Sequence, residues 1–222
     1  MKILALTDIH AAYRTAEEII QKETPDILII GGDLTTVGTV KEAETALNTF
    51  QRLSPTLFCI AGNMDVLQHD ELFKRLGLSL NARGTIINDV GLFGVSGAPL
   101  SQLHTPYEIP EEEIFRRISE GYRQVQSARR KILITHAPPY GTKVDITHSG
   151  LHVGSTAVRD FIEEHRPDLV ICGHIHESRG QDTLEESVIV NCGPAAQGNY
   201  VIVRIDAGTI EAKNEFHFSP SK

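Results

Sequence analysis

Asp, His and Asn recur in this chain at the far end of apolar runs. Asp8-Ile9-His10 follows the run 2–7, Gly32-Asp33 follows 27–30, and Gly62-Asn63-Met64-Asp65 follows 56–60. His136 follows 131–134, Gly173-His174-Ile175-His176 follows 168–172, and Asn191 follows 187–190. A buried strand that delivers a bare carboxylate is costly unless that group is hydrogen-bonded or holds a metal. Asp8, His10, Asp33, Asn63, His136, His174 and His176 offer oxygen and imidazole donors and no thiolate. Such a set suits a borderline divalent ion, Mn²⁺, Fe²⁺, Zn²⁺ or Co²⁺, better than an iron–sulfur cluster or a structural cysteine-zinc site. Seven donors exceed one tetrahedral site, whereas two ions sharing a bridging carboxylate use them all. Two ions about 3.5–4 Å apart clamp an in-line displacement at phosphorus and acidify a bound water, so that hydroxide is available near neutral pH.

The elements that must present these residues follow from periodicity. A helix is expected over about 12–22, with Ala12, Ala16, Ile19 and Ile20 on one side. Thr39 with Glu42 forms a capping box ahead of a helix whose apolar face is Val40, Ala43, Leu47, Phe50 and Leu53. A short helix near 70–76 comes next, then two strands around the turn Asn88-Asp89-Val90-Gly91, then a Pro-bearing loop over 98–110. Pro110 and three glutamates open a helix expected to run to about 129, with Ile114, Phe115, Ile118, Tyr122 and Val125 on one face. The long loop 140–154 carries His148 and His152, and Ser155 caps a helix that stops before Pro167. The segments 199–206 and 209–217 alternate as a hairpin around Asp206-Ala207-Gly208. Pro25-Asp26 and Pro167-Asp168 each follow a helix and open an apolar strand, which points to one supersecondary unit used twice. Strands alternating with helices, then hairpin-like strands, predict an α/β layered fold with mixed sheets. In such folds ligands gather beyond the carboxyl ends of the strands, where all seven donors lie.

Composition bounds the rest. At 222 residues the chain suits one domain over 1–222, and 41% apolar with 23% charged residues is ordinary for a globular protein. No run approaches a membrane span, and the apolar opening is too short for a signal peptide, so a cytoplasmic location is expected. Cys59, Cys172 and Cys192, without CxxC spacing, are expected as reduced core thiols. A formal charge of −8 disfavours a nucleic-acid polymer as partner.

In order, Asp8-Ile9-His10, Gly32-Asp33, Gly62-Asn63-Met64-Asp65, His136 and Gly173-His174-Ile175-His176 resemble the blocks D-x-H, G-D, G-N-H-D/E, H and G-H-x-H of the calcineurin-like metallophosphoesterase superfamily. The resemblance spans roughly 2–205. The stretch from His136-Ala137-Pro138-Pro139 through His152-Val153-Gly154-Ser155 to Gly173 is most similar to the Icc-like phosphohydrolase branch. It implies a four-layer α/β/β/α sandwich, with two mixed β-sheets flanked by helices. Carried over by position, Asp8, His10 and His176 hold one metal and Asn63, His136 and His174 the other. Asp33 bridges, and Asn63 lies near the phosphate.

One position departs from the family. Met64 stands where the family usually has a histidine that protonates the leaving group or stabilises the transition-state charge. A thioether does neither, and general acid catalysis is typically worth about 10²–10⁴-fold. His152, in its glycine-bracketed loop, is the first candidate to replace it as acid and substrate contact; Asp65 is the second. His69, His104, His148 and His165 read as surface residues, and His217 as an alternating position in the last strand. The expected function is a binuclear metal-dependent phosphoesterase in which metal-bound hydroxide attacks a phosphodiester or activated phosphoester, with diesters favoured over monoesters. The expected cofactors are two divalent ions, Mn²⁺ first, with Fe²⁺, Zn²⁺, Co²⁺ and Ni²⁺ as options. The expected partner is a small phosphoester, a nucleotide among the candidates, with no membrane. The alternative is a catalytically weak or inactive scaffold of the same fold acting through protein contacts, for which Met64 is the only argument in the sequence.

Overall fold

The computed structural model describes residues 1–206 and 209–217. Its strands are β1 (Lys2–Leu6), β2 (Ile27–Gly31), β3 (Leu57–Ile60), β4 (Gly84–Ile87), β5 (Val90–Val95), β6 (Ala98–Pro99), β7 (Glu108–Ile109), β8 (Arg130–Thr135), β9 (Leu169–Cys172), β10 (Gly180–Leu184), β11 (Ser187–Asn191), β12 (Asn199–Ile205) and β13 (Ile210–Phe216). The helices are α1 (Tyr13–Glu23), α2 (Val40–Leu53), α3 (Leu67–Arg75), α4 (Glu111–Arg123) and α5 (Thr156–His165). One sheet runs β13-β12-β1-β2-β3 and the other β10-β11-β9-β8-β5-β4. Within them β1, β2 and β3 are mutually parallel, as are β5, β8, β9 and β11.

Residue alternation along the strands builds the layers. Ile3, Ala5, Ile27, Ile29, Val201 and Val203 of the first sheet share one buried cluster with Val90, Leu92, Ile132, Ile134, Leu169 and Ile171 of the second. The intervening residues, Leu4, Leu6, Leu28 and Ile30 on one side and Phe93, Leu133 and Val170 on the other, pack with helix residues. Helix α1 packs on β1 and α2, α3 on β3 and α2, and α4 on β5 and α5. The result is the expected α/β/β/α sandwich.

The repeated Pro-Asp unit does the same work in both sheets. Helices α1 and α5 end in left-handed residues, Thr24 (φ 42) and Arg166 (φ 46), each followed by proline, which cannot continue the helix. Asp26 Oδ2 then accepts the Lys2 amide at 2.7 Å, and Asp168 Oδ2 the Lys131 amide at 2.8 Å. Each aspartate thereby pins its own strand, β2 or β9, to the start of its parallel neighbour. The caps stand where expected: Thr39 Oγ1 accepts from Glu42 N, and Ser155 Oγ from Val158 N.

Four departures have physical causes. Helix α4 ends at Arg123 rather than near 129, because Val125 and Ala128 turn inward onto Gly84 and Gly91, whose missing side chains make room for them. Strand β10 (Gly180–Leu184) has no apolar run; it is an edge strand held by its antiparallel ladder to β11. The loop 98–110 contains the short parallel pair β6 and β7. His217 follows the last strand and donates its amide to Gly198 O, while the expected turn residues Ala207 and Gly208 lie outside the described residues. All three cysteines are free and buried. Among the described residues no helix is long and apolar enough to cross a membrane.

Candidate metal centre

Because β1–β3 are parallel and β5, β8, β9 and β11 are parallel, each sheet sends its chain turns out at one edge, and the two edges are joined. His136 Nδ1 lies 3.1 Å from the Gly31 carbonyl, and the His174 amide donates to Asp8 Oδ2 at 3.1 Å. Ala195 N donates to Thr7 O at 2.9 Å and Ala196 N to Asp8 O at 3.2 Å. Residues remote in sequence thus meet at the seam.

Asp33 Oδ2 lies between two imidazoles, 3.6 Å from His10 Nε2 and 3.4 Å from His136 Nε2. Asp8 Oδ1 is 3.2 Å from His176 Nε2 and 3.9 Å from both His10 Nε2 and His136 Nε2. Two triads, Asp8–His10–His176 and Asp8–Asp33–His136, have donor atoms within 4.8 Å of one another. Asn63 Oδ1 is 2.9 Å from His136 Nε2, and the His174 ring centroid is 5.0 Å from that of His136. All seven sequence-derived donors therefore gather at one place.

The donor set fits a divalent cation. Asp8 and Asp33 are 0% and 2% exposed, and among the described residues neither has a Lys or Arg partner. Burial opposes ionisation of Asp8, yet the His176 hydrogen bond and the His136 charge hold its carboxyl well below the usual range. Burial likewise opposes charge on His136, but Asp33 and Asp8 raise its pKa to about 9. His174 is pushed down to about 3 by burial and by the neighbouring His136 charge. The centre pulls positive charge towards its two carboxylates. Four of the donors, Asp8 (φ 53), His10 (φ 46), Asp33 (φ 49) and His174 (φ 68), occupy the left-handed backbone region. Such strain, of order 1–3 kcal/mol per residue, clusters at functional sites.

The glycines of the motif blocks are there for each other's donors. A Cβ on Gly62 would sit 2.1 Å from Asp33 Oδ1, and one on Gly173 would sit 2.3 Å from Asp8 Oδ2. The glycine of one block is thus the space that a carboxylate of another fills.

Asp65 supports this arrangement from behind. Its Oδ1 accepts from Thr35 N and Thr35 Oγ1, both at 2.9 Å; its Oδ2 accepts from Leu34 N at 3.1 Å and Gly62 N at 3.0 Å. Burial would raise its pKa, but His69 and these amides hold it below the ordinary value. A fully buried, ionised carboxylate with four donors has no proton to give, so its geometry is that of a brace between the Asp33 and Asn63 turns. The Met64 amide donates to Asp33 Oδ1 at 2.7 Å, so Met64 contributes its backbone.

His152 Nδ1 lies 2.7 Å from Asp145 Oδ1, and its side chain is 37% exposed, with the ring set edge-on to Tyr140. Asp145 is buried and also accepts amides of Gly141, Thr142 and Gly154. Among the described residues His152 hydrogen-bonds to none of the seven donors. Its loop is tied beside them by Asn191 Nδ2, which donates to Val144 O, Gly173 O and Ile175 O, and by Ser178 Oγ, which donates to Ile146 O.

Sequence reasoning placed Asn191 at a strand end without giving it a role, and passed over Asp145 and over Thr36, whose hydroxyl lies 2.9 Å from His10 Nδ1. It also placed His69 at the surface. His69 is fully buried, with Nδ1 3.3 Å from Asp65 Oδ1 and its ring stacked on Phe73.

The family model for calcineurin-like phosphoesterase matches residues 1–178. An uncharacterized protein of Methanocaldococcus jannaschii is 31% identical over 198 residues, 87% of this chain and 88% of that one. Among solved structures, a Thermus thermophilus protein superposes with a TM-score of 0.72 at 19% identity, covering 96% of this chain and 98% of that chain. A dimetal phosphatase from Danio rerio superposes with a TM-score of 0.60 at 11% identity, covering 97% and 96%. A Staphylococcus aureus protein described as a putative 5'-nucleotidase gives 0.63 at 15% identity, covering 99% of this chain and 55% of that one.

Proposed function

Because this chain belongs to the calcineurin-like phosphoesterase family, we propose that it is a binuclear metal-dependent phosphoesterase, one domain over 1–222, acting on a small phosphodiester or activated phosphoester. Asp8, His10 and His176 would hold one ion, Asn63, His136 and His174 the other, with Asp33 shared. The observation that carries this reading is Asp33 Oδ2, 3.6 Å from a nitrogen of the first set and 3.4 Å from a nitrogen of the second. When bound, the ions, Mn²⁺ first for this oxygen-and-imidazole set, would supply Lewis acidity towards the phosphoryl oxygens and a more acidic water.

The chain's own side chains bind, orient and carry the proton. Asn63 directs Oδ1 at His136, which leaves its amide N–H groups for a phosphoryl oxygen. Asp65 holds the two turns that carry Asp33 and Asn63. The Asp145 carboxylate beside His152 Nδ1 orients the ring so that Nε2 is the atom free to protonate a leaving group. Met64 supplies no proton, so protonation of a poor leaving group falls to His152, and an ester with a stable leaving group depends on it least.

The test is Mn²⁺-dependent hydrolysis of bis-p-nitrophenyl phosphate beside p-nitrophenyl phosphate, with the His152→Asn protein in parallel. Turnover with the diester ahead supports the reading. Protein that binds metal but turns over neither ester with Mn²⁺, Co²⁺, Ni²⁺ or Zn²⁺ would transfer it to a binding scaffold.

A further inference from the structure

Large apolar side chains left in solvent are not spread evenly over this molecule. Nine are exposed among the described residues, and only Ile86 and Phe216 lie on strands away from the donor turns. Val37 follows β2, Leu67 follows β3, Leu100 and Leu103 follow β5, and Tyr140, Leu151 and Val153 follow β8. All seven therefore stand on segments that leave the carboxyl ends of parallel strands, the edge at which the metal donors gather. Leu103 is 81% exposed, Leu100 65% and Leu151 62%.

Cations are scarce on the same edge. The connections 7–12, 32–39, 61–66, 96–110, 136–155, 173–179 and 192–198 contain one lysine, Lys143, and one arginine, Arg179. Lys143 Nζ lies 3.7 Å from Asp182, and Arg179 donates to the Glu215 carbonyl. A polyphosphate chain needs several cationic donors to hold its further charges; these connections supply two, and the nearest others come from helices, Arg159 on the Tyr140 carbonyl and Lys74 and Arg117 in the cavity that Leu67 lines. Exposed apolar groups gathered on one side of a molecule mark a binding surface, and here they stand on the segments that leave the same strand ends as the seven donors.

We propose that the apolar rim receives the organic part of the substrate, so that the preferred ester carries an uncharged alkyl or aryl group of several carbons rather than a polyphosphate. This rests on the phosphoesterase reading of the centre. A fully buried methylene is worth roughly fourfold in affinity and a half-buried one roughly twofold. Between a methyl and a hexyl ester, five half-buried methylenes give roughly thirtyfold.

The experiment compares kcat/KM for the p-nitrophenyl methyl, butyl and hexyl phosphodiesters and for p-nitrophenyl thymidine 5'-phosphate, all with Mn²⁺. Calorimetric affinities of methyl- and hexylphosphonate are measured in parallel. A rise of at least about tenfold from methyl to hexyl, with hexylphosphonate bound the tighter, is expected. The Leu103→Ser/Leu151→Ser double variant should compress that ratio several-fold. Turnover that is flat across the series overturns the rim proposal and leaves the phosphoesterase reading standing. Absence of turnover throughout counts against that reading, and the phosphonate affinities then decide the rim alone, equal affinities overturning it. A flat series together with sedimentation on phosphatidylcholine vesicles would assign the rim to a lipid surface and likewise overturn the proposal.

Discussion

Replacing Asp65 by asparagine separates a brace from an acid. The change keeps the shape but puts an amide NH₂ where one carboxylate oxygen was. If NH₂ takes the Oδ2 place, Leu34 N and Gly62 N lose their acceptor; if it takes the Oδ1 place, Thr35 N does, since the Thr35 hydroxyl can turn to accept. At least one buried N–H is orphaned, at about 1–3 kcal/mol, and the remaining bonds lose their charge assistance, at about 1 kcal/mol each. The sum is about 3–5 kcal/mol, a large part of the 5–15 kcal/mol typical of a folded domain. Because the same bonds hold the turns bearing Asp33 and Asn63, Mn²⁺ affinity should fall by about 10–100-fold, the usual effect of losing a partner of metal ligands. Urea unfolding and calorimetric Mn²⁺ binding of the wild type and Asp65→Asn measure both. A loss below about 1 kcal/mol with unaltered metal affinity would refute the brace. A selective loss of rate on esters with poor leaving groups would restore Asp65 as the acid.

Gly62→Ala places a Cβ 2.1 Å from Asp33 Oδ1 and should cost about 2–3 kcal/mol with loss of metal binding. Gly77→Ala, with φ +74 and open space around it, should cost only the left-handed penalty of about 1–2 kcal/mol; equal losses in urea melts would contradict the packing argument. Asp65 also fixes a pH dependence. Its folded pKa lies below the ordinary value, so its stabilisation is complete above the unfolded value of about 4 and is lost as pH falls through the folded one. The urea midpoint should therefore drop between pH 5 and acid conditions less steeply in Asp65→Asn than in the wild type, and parallel curves would count against it. Met64→His should raise turnover of esters with poor leaving groups more than of activated ones, and an equal gain on both would remove the missing-acid account.

What was readable in the sequence follows from where the physics is local. The buried strands β1, β2, β3, β8 and β9 announce themselves as apolar runs, and each leads into polar residues costly to bury without a partner, so the gathering of these seven residues at one place could be read without coordinates. The caps Thr39 and Ser155 and the twin Pro-Asp units are local patterns as well. The polar supports were not readable. On α3 the buried positions are His69, Asp70, Leu72 and Phe73, so half of the inner face is polar and carries no hydrophobic period. Asp70 is there to satisfy a loop far away in the chain, at Ser96, and His69 lies against Asp65, which just ahead of the helix does the same for Leu34 and Thr35. Strand β10 is invisible for a related reason: Gly180-Gln181-Asp182-Thr183-Leu184 alternates between half-buried and exposed at a sheet edge, where only the ladder to β11 defines it.

The central claim is that one carboxylate, Asp33, serves two ions, and Mn²⁺ stoichiometry with EPR spectroscopy tests it most directly. The wild type should bind two equivalents of Mn²⁺ with a spin-coupled signal. Asp33→Asn, which removes the charge lying 3.6 Å from His10 Nε2 and 3.4 Å from His136 Nε2, should lose the coupling and at least one tightly bound equivalent. A wild type that binds a single ion, or an Asp33→Asn protein that keeps two coupled ions, would contradict the account.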